Sequence, residues 1–314
     1  TAIDNGIGMG AALGQAVNIT SNIITGSYTT ATSGIWEGIR NQNGINVPTM
    51  NINGNRIQNV SNGGSGSFSA INNSGCSNAI LNINNNVISN NNISGTGTAL
   101  FVNVFLLDGT TNSISGNTIS NNSCASLGGT SVFNFNSTGT TPDITIASNS
   151  FSNNTFTGAF TVSRTISMIF YTGAGDDLTI SGNQFINNGV PANNNNAVSI
   201  TLNAVADNVS STTMFNNEII VNNTIDSLYI KGTSTAAQHI RGFNLYNNDA
   251  APVARTYSGN TIKKLAALTG TSNSIIPINV AGTRTPFNLY NNTIRRIYTT
   301  GAGGSHSITP IGLP

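Results

Sequence analysis

A short phrase recurs through this chain at a nearly constant interval, and that interval restricts the fold more than any other feature. LTISGNQFINN (Leu178 to Asn188) alternates apolar and polar side chains, turns at Gly-Asn and alternates again. The phrase returns as MNINGNRIQN (Met50 to Asn59), LNINNNVISN (Leu81 to Asn90), NSISGNTISN (Asn112 to Asn121), ITIASNSFSN (Ile144 to Asn153) and FNLYNNTIRR (Phe287 to Arg296). With the turn asparagine as register the series is Asn22, Asn55, Asn86, Asn117, Asn149, Asn183, Asn217 and Asn248, in steps of 33, 31, 31, 32, 34, 34 and 31 residues. Asn260 and Asn292 continue it 32 apart, and the 12-residue gap from Asn248 to Asn260 reads as a coil with a loop inserted around Asp249 to Thr256. Such self-similarity marks a stacked-repeat architecture.

Alternation of period two around Ile180 specifies a strand, and the corner asparagine suits a left-handed backbone whose side chain bonds nearby amides. Corners stacked at the strand spacing of about 4.8 Å let each Asn amide bond its neighbours above and below. A second apolar run follows each corner, as in ALFVNVFLL (Ala99 to Leu107), TISMIFY (Thr165 to Tyr171) and SIIPINV (Ser274 to Val280). The expected fold is all-β: a single-stranded parallel β-helix of nine or ten coils of roughly 32 residues, forming one domain over residues 1–314 with a loose segment at 301–314. A β-sandwich would not need a fixed period, and disorder is opposed by Ile, Leu, Val and Phe recurring at fixed phase.

Charged residues make up only 7% of the chain and Asn roughly a sixth, whereas charged residues average about a quarter in globular domains. This suits an extracellular rod with an outer surface of Ser, Thr, Asn and Gly. No apolar run reaches the 18 or more residues of a membrane span. The start Thr-Ala-Ile-Asp reads as that of a processed or excerpted secreted chain. Cys76 and Cys124 fall at different phases of coils two apart, so they are expected to be packed rather than bridged.

Charge is divided along the chain. Residues 1–230 hold three basic side chains and nine carboxylates, a net of −6; residues 231–314 hold eight basic side chains and Asp249, a net of +7. Lys263 and Lys264 sit three and four past Asn260, and Arg295 and Arg296 three and four past Asn292. These four should stack into a basic edge that contacts an anionic partner, such as acidic glycan or another surface module. Nucleic acid is not expected, because the remainder is acidic and the aromatics do not interleave with the basic positions. Among the carboxylates, Asp143 and Asp177 share a phase six before their corners, with Asp176 beside them. Stacked in that way they would raise one pKa or recruit Ca²⁺; no other cofactor or metal is implied.

The run GAGDDLTISGN (Gly173 to Asn183) is similar to the Gly-Asp-Asp of pectin-degrading β-helix hydrolases, whose paired aspartates serve as acid and base. The family's Asn-Thr-Asp and Gly-His-Gly have no counterparts here, His239 and His306 are out of phase, and Arg164 is the nearest basic residue. Over Val17 to Tyr298 the chain resembles the right-handed, pectin-lyase-like parallel β-helix family, in particular the Asn-, Thr- and Ser-rich surface proteins of bacteria. The resemblance implies an extracellular structural or adhesive rod, which could also associate end to end. The alternative is a polysaccharide lyase or hydrolase acting at Asp143, Asp176 and Asp177.

Overall fold

The computed structural model describes residues 1–5, 16–28, 33–42, 49–76, 80–106, 110–125, 130–137, 142–157, 160, 162–173, 175–193, 198–207, 215–246, 254–281, 287–300 and 304–313. No helix occurs among them. Every strand pairing is parallel, and three sheets run the length of the stack. We call them A, B and C. A coil passes through sheet B, turns at the ladder asparagine into sheet C, and returns through sheet A. Among the described residues sheet B has nine strands, so seven coils, from that of Asn55 to that of Asn260, have a neighbour on both sides. The regular stack is thus about seven turns, fewer than the nine or ten the period suggests. The outermost strands of sheet B, Ala16–Thr20 and Phe287–Tyr290, are largely accessible, whereas those between bury every inward side chain.

Register turns the repeat into columns. In sheet B the inner column runs Ile19, Ile52, Ile83, Ile114, Ile146, Ile180, Ile220, Tyr257 and Leu289. In sheet C, Ile57, Ile88, Ile119, Phe151, Phe185, Ile225 and Ile262 stack, with the rings of Phe151 and Phe185 parallel at 4.9 Å. These residues are at most 1% exposed from Ile52 to Ile262. Each such burial contributes about 1.5–3 kcal/mol, which lets so polar a chain hold a core.

At the corner, each ladder asparagine from Asn22 to Asn260 donates its backbone N–H and its Nδ2 to Oδ1 of the asparagine one coil on, at 2.9 to 3.1 Å throughout. The second Nδ2 hydrogen goes back to a carbonyl of the preceding coil, as from Asn149 to Ile114 O at 2.9 Å. Both amide hydrogens and both lone pairs are therefore used, which is what a buried side-chain amide requires. The left-handed backbone belongs to the residue before the asparagine, not to the asparagine itself. Ser21, Gly54, Asn85, Gly116, Ser148, Gly182, Asn222, Gly259 and Asn291 all have φ between 55° and 67°.

The ladder runs Asn22, Asn55, Asn86, Asn117, Asn149, Asn183, Asn223, Asn260, Asn292. Asn217 is not a member: it lies on the outer side of sheet B, where its Nδ2 donates to Asp177 Oδ1 at 2.6 Å. Asn248 lies outside the described residues, and the ladder steps directly from Asn223 to Asn260. The extra length accordingly sits in the 40-residue step from Asn183 to Asn223 and the 37-residue step to Asn260. A second ladder, five residues further on, links Asn91, Asn122, Asn154 and Asn188. It ends where Val60 and Leu228 occupy the position. The described part of 304–313 adds two short strands, Ser307–Ile308 and Ile311–Gly312, to the edge of sheet A.

Candidate functional site

The acidic residues come together only in part. Register continues from Ile144 opposite Leu178, so Asp143 and Asp177 do share a phase on adjacent coils. Asp176 and Asp177 are exposed, and each is held by an amide of the following coil: Asn216 Nδ2 to Asp176 at 2.7 Å and Asn217 Nδ2 to Asp177 at 2.6 Å. Asp177 also lines a shallow cleft of about 190 Å³ with Ile219 and Thr256. Arg164 begins a strand of sheet A, whereas these carboxylates belong to sheet B. No group of three His, Cys, Asp or Glu side chains is arranged to hold a metal ion among the described residues. Cys124 is buried in sheet C, and the side chain of Cys76, whose backbone ends a strand of sheet A, lies outside the described residues.

The basic residues do form an edge. Lys263 is paired in register with Arg295 on one side and Asp226 on the other. Asp226 forms ion pairs with Lys263 at 3.0 Å and Lys264 at 2.9 Å. Burial pushes its carboxyl up, but the two lysines outweigh this and hold it below the usual carboxylate range. Arg295 and Arg296 are exposed beyond this triad and make no ion pair among the described residues. The backbone adds a further fact. Four residues past the ladder asparagine each coil from Asn55 on takes a second left-handed turn, filled by Asn59, Asn90, Asn121, Asn153 and Asn187, then Ser227, Lys264 and Arg296. Asparagine tolerates that conformation, whereas Lys and Arg occupy it at a cost.

Two features escaped the sequence. The inner column of sheet B that begins Val17, Met50, Leu81 continues through Ile144 and Leu178 to Glu218 and Arg255. These two are 1% exposed, with Arg255 Nε 3.8 Å from Glu218 Oε2 and Tyr257 Oη donating to Glu218 Oε1 at 2.9 Å. Asp207, also buried, accepts the Tyr246 N–H with both oxygens, at 2.9 and 2.7 Å. Burial, reinforced by the charge of Glu218, pushes the Asp207 carboxyl well up, and burial does the same to the phenols of Tyr171 and Tyr257.

The other feature is a bend in sheet A. Gly38, Ala70, Phe101, Val132, Met168, Ala204, Gly242 and Pro277 occupy a position skipped by the pairing register in every coil. A Cβ on Gly242 would meet Pro277 O at 2.3 Å, and proline is accommodated at 277 because no ladder N–H is required there. Beside this bend, on the outer face, lies a cleft of about 330 Å³ that includes Phe170, Asn203 and Arg241. His239 lies two residues before Arg241 on the same strand, its pKa lowered by burial and then by the Arg241 charge.

Fold and corner chemistry define the class: a parallel β-solenoid locked by an asparagine ladder. No protein-family model, curated protein or solved structure matches the chain.

Proposed function

We propose that the chain is a structural and adhesive rod outside a bacterial cell, of the right-handed, pectin-lyase-like kind, attached through its basic edge to an anionic glycan or to another surface module. The observation that carries this reading is the use of Lys264 and Arg296 at a left-handed turn that five earlier coils fill with asparagine. A charge kept where the backbone pays for it points to a role other than stability. Exposed Arg295 and Arg296 extend the same edge, and a row of cations supplies the field that draws a polyanion.

The test is retention on immobilised alginate, a polymer of carboxylate sugars. At physiological salt the chain should be retained, Arg295→Ser with Arg296→Asn should weaken retention about tenfold, and high salt should abolish it. Unchanged retention in the double variant would overturn the reading. So would cleavage of the polymer that Asp177→Asn abolishes, which would instead support an enzyme.

A further inference from the structure

The strands Arg164–Gly173, Ile200–Asp207 and Gln238–Tyr246 pair side by side except at Met168, Ala204 and Gly242, and a hollow opens beside that position. The resulting cleft, about 330 Å³, is lined by Phe170, Thr201, Asn203, Asp207, Arg241 and Asn244. That volume is at the lower end of the range for small-molecule sites. We propose that this cleft binds a single pyranose ring carrying one anionic group, either a carboxylate or a sulfate ester. The proposal goes beyond the basic edge and stands without it, since cleft and edge belong to different sheets.

Arg241 fixes the charge. Its side chain is half-buried, its Nη1 donates to Asn244 Oδ1 at 3.0 Å, and its Nε is shielded from solvent without a hydrogen-bond partner. It makes no ion pair with a carboxylate among the described residues. Asp207 also lines the cleft, but both its oxygens accept the Tyr246 N–H, and burial favours its neutral form. Partial burial of an uncompensated guanidinium is unfavourable. An incoming anion meets that charge on the side where the guanidinium is still open.

The remaining lining fixes the ring. Phe170 is half-buried and lends an apolar ring face. Thr201 supplies a hydroxyl, and Asn203 is held by its Nδ2 donating to Ser167 Oγ at 3.2 Å. An apolar wall with a few fixed polar groups and one charge matches an amphipathic ring better than a bare inorganic anion, which would leave Phe170 unused.

Binding to the full chain can be followed by nuclear magnetic resonance with glucuronate, glucose 6-sulfate and glucose as probes. At least one anionic sugar should bind saturably and about tenfold tighter than glucose, and whichever of the two it is identifies the group. Arg241→Gln should erase that preference, Phe170→Ala should weaken all sugar binding, and Arg296→Asn should change neither. The proposal is overturned by equal affinity for the three probes, by no saturable binding, or by a preference that survives Arg241→Gln. Should Arg241→Gln fail to fold, the wild-type chain decides: the His239 ring resonances must shift as the anionic sugar saturates, and their constancy would sink the idea.

Discussion

Asn183 and Asn223 are 40 residues apart in sequence and one strand apart in space: the backbone N–H and Nδ2 of Asn183 both donate to Asn223 Oδ1, at 2.9 and 3.0 Å. Coils of 31 residues and of 40 therefore close at the same corner. What sets the level of each strand is the amide at the bend, and the loops absorb any difference in length. Loop-closure entropy grows slowly with length, so such insertions are tolerated.

Removing one rung should then cost more than a typical surface change. In Asn149→Ala, the N–H and Nδ2 of Asn117 lose their acceptor and Ile114 O loses its donor, all in a buried setting. We expect a loss of about 3 kcal/mol or more, from about 1–3 kcal/mol per stranded group, read from the denaturation midpoint. Asn149→Asp should be at least as damaging, because a carboxylate would face Ile114 O and Asn183 Oδ1, both acceptors. If either variant unfolds at the wild-type midpoint, the ladder does not hold the stack.

The ladder from Asn55 to Asn183 was legible because Ile, corner and Asn recur at even spacing. Asn223 was missed because Asn217 lay closer to the expected step. The better signal was the Thr-Ile that follows Asn223, Asn260 and Asn292 alike but not Asn217. Asn248 was drawn in by a repeated hexapeptide, Phe-Asn-Leu-Tyr-Asn-Asn, whose copies begin at Phe243 and Phe287. The first copy starts in sheet A and the second in sheet B, so equal words occupy unequal phases. Glu218 and Arg255 were hidden for another reason: charge ordinarily marks an outward position, and here it occupies a core column. The sheet A cleft needs three strands side by side, which no single repeat displays.

Stability should depend on pH through Asp207. Its carboxyl is raised by burial and then by Glu218, above an unfolded value of about 3.9. The folded chain thus holds this proton to higher pH than the unfolded one does. The stabilisation is present in full below about pH 4 and is lost as pH rises through the raised value. Asp207→Asn should remove that part of the slope in a plot of melting temperature against pH. A variant slope equal to that of the wild type would refute the assignment.

Breaking the buried pair should be severe. Arg255→Met leaves Glu218 in the core with the Tyr257 hydroxyl but without the guanidinium, and uncompensated buried charges cost about 3–5 kcal/mol. Glu218→Leu combined with Arg255→Met removes both charges and should recover much of that loss. A double variant no more stable than Arg255→Met would show that the column needs these groups for reasons other than charge balance.

Two glycines should respond oppositely to alanine. At Gly26 an added Cβ has no atom within 4 Å, so Gly26→Ala should be neutral or slightly stabilising. At Gly242 the same atom would meet Pro277 O at 2.3 Å, on the backbone of the next coil. Gly242→Ala should destabilise by more than about 1 kcal/mol, measured by chemical denaturation. Equal effects at the two sites would mean that sheet A can open its bend freely.

Arg296 allows stability and attachment to be separated. Its φ of 58° is the conformation that Asn59, Asn90, Asn121, Asn153 and Asn187 adopt at the same position in earlier coils. Left-handed backbone costs an ordinary L-residue roughly 1–2 kcal/mol, a cost that asparagine partly escapes. The Arg296 side chain is exposed and has no ion pair among the described residues to offset it. Arg296→Asn should therefore raise the denaturation midpoint while weakening retention on alginate. Lys264→Asn relieves the same backbone but breaks the 2.9 Å contact with Asp226, so its midpoint should rise less. A basic edge that merely faced solvent would give the first effect without the second, and the contrast between midpoint and retention in Arg296→Asn distinguishes the two.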